Sequence, residues 1–445
     1  MKATPEWRVY ILGALLCMAL TICSRNFGDR GGPAFMAWLA LAGIVYLLAI
    51  CDFFRLRSEQ VGPTQGFPRR VVVIGLILAA VWHVEFLRLP PAADDDIHRY
   101  VWDGRLQRLG YNPYLVIPSD PKFSALHTAE TRTLNNSNLP SPYPPGAQLF
   151  FRAVTAIHES VFAFKVAFLL CDLAIVFVLL DILRRTGNGA HLVLAYAWNP
   201  LLAIEVAGSG HIDIVGALLL VISAAALARR WRTIAALAFA LAVAVKFLPI
   251  VLLPLYWKRI RIRGAALAAI VVALLYAPFL NHGRIPLGSL GTYVTGFRFN
   301  GPVFAVFHRV APPQLLAGLA VLVGLATATW LRHTSPGWSP NSFAWPMAAS
   351  LLFAPVVFPW YLLWLLPFLT SPSTLLIMIW TVSIVPVYIQ WHLSALRGAW
   401  GALPVWIMVM EYGCLGIAAG TIASRSKQSR PQEHSQRIRV IGGVD

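Results

Sequence analysis

Apolar residues run in long unbroken blocks along nearly the whole chain, separated by short polar stretches. Blocks of roughly 17 to 25 apolar residues are long enough to cross the hydrocarbon layer as helices. They predict spans at 8–23, 34–53, 71–89, 161–183, 191–206, 212–228, 264–280, 313–331, 343–356, 360–369, 374–390 and 402–423. One polar stretch, 90–160, is far longer than the other connections. Its proline density and the run Tyr143-Pro144-Pro145 predict an ordered surface loop with a short helix after Pro145. The chain divides into N-terminal membrane helices (1–89), a long loop (90–160), a membrane core (161–423) and a basic tail (424–445) that is expected to be disordered. Neither a soluble domain nor an internal repeat is evident.

Composition supports the same class. Of 445 residues, 58% are hydrophobic and 12% charged, where soluble chains carry roughly 25% charged residues. The expected fold class is therefore an all-α polytopic membrane protein with about twelve transmembrane helices. The net charge of +17 does not point to nucleic acid, and no nucleic-acid partner is expected. Lys and Arg sit in clusters between apolar blocks, at Arg69/Arg70, Arg184/Arg185, Arg229 to Arg232 and Lys258 to Arg263. This is the positive-inside pattern, which orients the helices and brings the clusters to anionic lipid headgroups. It places 54–70 and the tail in the cytoplasm and 90–160 on the outer side.

The segment 233–257 has basic clusters at both ends. With both held inside, it cannot cross once, so a re-entrant hairpin turning near Lys246-Phe247-Leu248-Pro249 is expected. Lys246 then faces an internal cavity, unless it snorkels to the interface. The five cysteines show no metal spacing and read as small apolar side chains. The N-terminus resembles a signal sequence without a clear cleavage site and is expected to stay attached as the first span. Asn135-Asn136-Ser137 matches a glycosylation sequon, a pattern that often occurs by chance.

The polar chemistry collects on the outer side, although orientation is set by Lys and Arg alone. Asp94, Asp95 and Asp96 come directly after the third span, with His98, Arg99, Tyr100, Trp102 and Asp103 just beyond. Adjacent carboxylates repel, so one holds its proton longer, a way of tuning a base. A solvated acidic turn that caps the next helix has the same appearance. On the same side lie Tyr143, Glu205 with His211 and Asp213, Arg298 with Asn300, and Pro359-Trp360-Tyr361.

DDDIHRYVWDGRLQRLGYNPY and SPYPPGAQLFF resemble the first large outer loop of GT-C glycosyltransferases. The similarity is to the bacterial polyprenyl-phosphate-mannose-dependent mannosyltransferases (glycosyltransferase family 87-like) and their relatives in GPI-anchor synthesis. NPLLAIEVAGSGHIDIVGALLL, RTIAALAFALAVAVKFLPIVLLPLYW and FAPVVFPWYLLWLLPFL resemble later blocks of these families, in matching order. The resemblance implies a GT-C fold in a bacterial inner membrane with its active site on the extracytoplasmic side. It also implies a polyprenyl-phosphate sugar donor, a glycolipid or glycan acceptor, and an inverting transfer of mannose or a related hexose. An acidic residue of the first outer loop is then the base: Asp96, with Asp94 or Asp95 as modulator or sugar contact. Phe358 departs from the pattern, since some relatives carry His there.

Such a transfer needs one base for the acceptor hydroxyl and cations for the departing phosphate. Arg99, Lys246, Arg298 and His211 are the candidate cations, with lipid-headgroup contact as the rival role. Tyr100, Trp102, Asp103, Tyr143, Asp213, Trp360 and Tyr361 are the candidate sugar and acceptor contacts, with interfacial aromatic belts and helix capping as rivals. A divalent cation between Asp94 and Asp96 stays open, and no metal site is assigned. Asp172, Lys246 and Glu411 offer a different function, an intramembrane charge path in a sugar or lipid transporter or flippase. A non-catalytic subunit of a glycolipid-assembly complex is the third reading.

Overall fold

The computed structural model describes residues 5–58, 67–92, 95–334, 339 and 341–441. Helices dominate the described residues. The first long loop comes after α1 (Glu6–Arg25), α2 (Pro33–Ser58) and α3 (Arg69–Leu87), and itself contains α4 (Ile97–Arg108) and α5 (Pro145–Ile157). Then come α6 (Val161–Arg185), α7 (Val193–Ala197), α8 (Asp213–Ala228), α9 (Arg232–Val245), α10 (Leu253–Tyr256) and α11 (Ile262–Tyr276). The short α12 (Leu290–Gly296) and α13 (Pro302–Phe307) precede α14 (Pro313–Thr334) and α15 (Asn341–Phe353). The chain ends with α16 (Leu375–Ser383), α17 (Ile389–Arg397) and α18 (Val405–Ile441).

About twelve crossings were expected. Among the described residues, eight helices are long and apolar enough to cross a membrane. A further pair, Ala190–Ala197 and Leu202–Gly208, is bent by 66°. Three more apolar helices are shorter: Asp213–Ala228, Arg232–Val245 and Ser342–Phe353. The polytopic all-α class holds. The expected span at 360–369 is instead two 3₁₀ turns, Pro359–Trp364 and Leu366–Phe368, since Pro359 and Pro367 each remove a backbone donor. The tail after 423 also differs from its expected disorder, because α18 continues as helix to Ile441.

Broken and capped segments position the polar end of the bundle. The segment expected to turn near Lys246 does break there: α9 ends at Val245 and Lys246 is extended, with φ −159° and ψ 144°. Pro249 and Pro254 then confine the chain to two short turns, Leu248–Leu252 and α10. The break is wedged against the loop, since a Cβ at Gly146 would lie 2.7 Å from the carbonyl oxygen of Ala244. The lack of a side chain at Gly146 lets the start of α5 seat on the end of α9.

The exit of α3 into the acidic stretch is fixed by Lys165 of α6. Its buried ammonium donates to the carbonyls of Phe86 (3.0 Å) and Leu89 (2.6 Å), at a helix end where the regular i+4 donors are missing and a cation suits the dipole. The long loop has a small core of its own, made of Trp102, Leu106, Val116 and Leu134. A second pin ties 299–300 to the corner before Trp360. Phe299 donates to the carbonyl of Pro355 (2.9 Å), and Val357 donates to that of Phe299 (2.8 Å).

Candidate functional site

A cavity of about 810 Å³ opens where these pinned segments meet, lined by Asp95, Asp96, Tyr143, Lys246, Arg298, Trp360 and Tyr361 among others. It is large enough for a sugar with its phosphate and a second polar group.

Asp95 and Asp96 are adjacent yet differ in role. Arg30 donates to both oxygens of Asp95, at 2.7 and 3.3 Å, and the backbone N–H of Ala92 donates to it at 2.8 Å. The Arg30 and Asp95 side chains are 4% and 3% exposed, so Asp95 is occupied as a structural anion. Arg30 also donates to the Ser209 hydroxyl and lies against the rings of Phe27 and Trp391. Asp96 stands at the N-cap of α4 without using its side chain as a cap. It is half-buried, and its Oδ1 accepts from Nδ2 of Asn135 at 2.8 Å. Asp96 is therefore the carboxylate aimed at the cavity. Asp94 lies outside the described residues.

The cation is held as firmly. Lys246 donates to Oδ1 of Asp213 at 2.7 Å and lies over the Tyr361 ring, 3.9 Å from its centroid. The same Asp213 oxygen accepts from the Trp364 indole at 2.7 Å. Gly216, one turn along α8, leaves room for that indole, because a Cβ there would meet it at 1.9 Å. Arg298 lines the cavity and is exposed, with its guanidinium over the Phe304 ring.

Part of the cavity wall is aromatic. His211 stacks on Trp360 (4.1 Å, 10°), Trp360 on Phe358 (4.3 Å, 5°), and Phe358 on Phe299 (4.4 Å, 23°). A continuous column of rings explains why an apolar side chain stands at 358. Beneath it, Glu205 pairs with Nδ1 of His211 at 3.0 Å and accepts from the Tyr388 hydroxyl. Glu205 sits in the π-helical segment Leu202–Gly208, and such irregular turns often mark functional regions. Burial works to lower the His211 pKa, but the hydrogen bond and charge of Glu205, aided by Asp96 and Asp95, hold it above its ordinary value. Burial, then the charge of Asp96, pushes the Tyr143 phenol well above the usual range, so it remains an O–H donor beside the cavity.

Six of the expected contact residues are placed off the cavity wall: Asp213 is buried behind Lys246, and five more lie elsewhere. Arg99 is buried, 3.4 Å from Asp103 and donating to the Leu139 carbonyl. Asp103 accepts from Ser141 (2.5 Å) and Gln148 (2.8 Å), and burial raises its pKa. Tyr100 stacks on Phe151 at 4.5 Å, and Trp102 stacks on His127 at 4.1 Å within the loop's own core. His211 supports Trp360 from behind. All five are buried. The helix that begins at Asp96 turns the side chains of Arg99, Tyr100, Trp102 and Asp103 into α5 and the loop, and only its N-terminal end faces the cavity.

Sequence reasoning missed Arg30, Asn135, Tyr293 and the Asp29–His392 pair, all on the cavity wall. One signal was present for Arg30. The next residue, Gly31, has φ +92°, and a Cβ there would lie 2.0 Å from the Tyr388 carbonyl oxygen. A double glycine behind a basic residue marks close backbone approach. Among the described residues, no group of three or more His, Cys, Asp and Glu converges on a point that could hold a metal ion.

The family model described as "Alpha-(1->6)-mannopyranosyltransferase, N-terminal domain" matches residues 17–260. No curated protein matches the chain. Among solved structures, ArnT from Cupriavidus metallidurans bound to undecaprenyl phosphate is similar over 80% of this chain and 72% of that one. The two are 17% identical, with a TM-score of 0.45.

Proposed function

Because the chain belongs to the alpha-(1→6)-mannopyranosyltransferase family, we propose that this membrane glycosyltransferase moves mannose from a polyprenyl-phosphate donor to a glycolipid or glycan acceptor on the outer face. The observation that carries this reading is the pairing of one oriented carboxylate, Asp96, with one oriented cation, Lys246, on the wall of a single cavity. Asp96 takes the proton from the acceptor hydroxyl as that oxygen attacks the anomeric carbon of the donor. The bond from that carbon to the phosphate oxygen breaks, and the phosphate leaves with the bonding pair. Lys246 meets the charge that develops on the phosphate, with Arg298 at the cavity rim as a second cation. A single displacement inverts the anomeric centre, so an α-linked product requires a β-linked donor.

The tail of the donor has a path. Phe247, Ile250 and Leu253 succeed Lys246 at three-residue spacing and are 37%, 36% and 51% exposed. They offer an apolar strip continuous with the headgroup cation. The orientation drawn from the basic clusters supports an extracytoplasmic position for this cavity, and the break at Lys246 suits a re-entrant hairpin. Transport would instead need Asp172, Lys246 and Glu411 to form one path. Each has separate partners: Tyr196 (2.5 Å) and His83 (3.5 Å) for Asp172, Asp213 for Lys246, and Asn300 (2.8 Å) and Trp380 (2.7 Å) for Glu411.

The test uses purified protein in nanodiscs with radiolabelled polyprenyl-phosphate mannose and a membrane lipid extract. Wild type yields a labelled glycoside. Asp96→Asn lowers turnover by about 10²- to 10⁴-fold, as loss of a general base does, with folding unchanged. Full activity in that variant refutes the assignment of the base.

A further inference from the structure

We infer that the corner formed by Trp391, His392 and Trp400 is a second sugar subsite, which binds the acceptor residue one unit back from the reacting hydroxyl. The inference rests on the transferase reading above.

The corner is a built feature. The indoles of Trp391 and Trp400 are nearly perpendicular, 81° apart with centroids 5.4 Å from each other. Trp400 is 48% exposed, yet its loop is fixed. Gly398, in the left-handed region at φ +69°, turns the chain out of α17. The buried amide of Gln390 donates to the carbonyl of Gly401 at 2.8 Å. Next to the indoles, Nδ1 of His392 meets Oδ1 of Asp29 at 2.8 Å. Both residues line the cavity.

This combination suits a pyranose. One apolar face of the sugar stacks on an indole, while its edge presents vicinal hydroxyls to a carboxylate oxygen and a ring nitrogen held side by side. Tryptophans of an interfacial belt face lipid with no such polar partner, whereas these two line an open cavity whose wall also carries an imidazole and a carboxylate. The family description names α-(1→6)-mannosyl transfer, and a product extended in a further round presents that linkage, so the ligand class is an α-linked hexopyranose chain.

The location also fits. Trp391 lies 6.1 Å from Trp360 and 5.3 Å from the guanidinium of Arg30, which holds Asp95 beside Asp96. Lys246 reaches the same wall through Tyr361, whose ring is 6.2 Å from Trp360. Trp360 is therefore the shared neighbour of Tyr361, which carries the phosphate cation, and of the Trp391 corner. An acceptor lying on the corner approaches from the base side, with the donor phosphate on the far side, as a displacement at one carbon requires.

The experiment compares octyl α-mannoside with octyl α-mannosyl-(1→6)-α-mannoside as acceptors at saturating donor, using full-length protein in nanodiscs. Wild type prefers the disaccharide in kcat/KM. In Trp400→Ala and His392→Ala, the disaccharide-to-monosaccharide ratio of kcat/KM falls about tenfold, mainly through KM, and Trp400→Phe keeps most of it. Saturation-transfer NMR with free α-(1→6)-mannobiose and no donor shows binding to wild type and its loss in Trp400→Ala. A wild-type ratio near one, or an equal loss on both acceptors in the variants, overturns the subsite while leaving the transferase reading intact. Transfer to neither acceptor by wild type, without mannobiose binding, overturns both.

Discussion

Arg30 grips both oxygens of Asp95, at 2.7 and 3.3 Å, where both side chains are buried. A buried pair of this kind contributes little net stability when intact, but removing one partner strands a charge at a cost of about 3–5 kcal/mol. Arg30→Ala and Asp95→Asn are each expected to lower the thermal stability of the solubilised protein by that order. Both also lose transfer, because Asp96 is held by the same backbone. The double variant Arg30→Met/Asp95→Leu is expected to recover most of the stability. A double-mutant cycle on melting curves measures the coupling.

Lys246 and its anchor separate by kinetics. Lys246→Ala removes the cation proposed to meet the leaving phosphate and is expected to lower kcat by about 10²- to 10³-fold, comparable to losing one transition-state donor. Asp213→Asn keeps the cation but weakens its ion pair, so the expected effect is mainly a higher donor KM. Initial rates with the donor varied distinguish the two, and equal loss in both parameters for both variants contradicts these roles.

His211 gives stability a pH dependence of definite sign. Its folded pKa is raised above the ordinary 6.5, so its protonated form is stabilised by Glu205, Asp95 and Asp96. That contribution is complete below the unfolded value and is lost as pH rises through the folded pKa. The melting temperature of wild type is expected to fall on going from pH 6 to alkaline pH. His211→Gln is expected to flatten this slope, as a pH series of thermal melts shows.

The helical spans were legible because block length alone identifies a membrane helix, and the break at Lys246 because basic clusters flank an apolar run with two prolines. The place of Asp96 and Lys246 on the cavity wall was legible because each stands at the edge of an element, where a polar side chain has one direction to face. The place of Arg99, Trp102 and Asp103 off the cavity wall was not legible, for the opposite reason. They lie inside a helix buried on nearly every side, and adjacency in sequence does not say which neighbour a helical side chain meets. The remaining wall residues are assembled by tertiary contact: Asn135 reaches Asp96 across 39 positions, Arg30 reaches Asp95 across 65, and Asp29 reaches His392 across 363. No local pattern encodes such pairings.

The amide of Asn135 has a practical consequence for anyone producing this enzyme. The nitrogen that donates to Asp96 is also the atom that an oligosaccharyltransferase would modify in Asn135-Asn136-Ser137. A eukaryotic secretory host that decorated this site would place a branched adduct on the cavity wall and is expected to silence each molecule so marked. Bacterial expression avoids the problem, and Ser137→Ala removes the recognition sequence while keeping the amide for the carboxylate it serves.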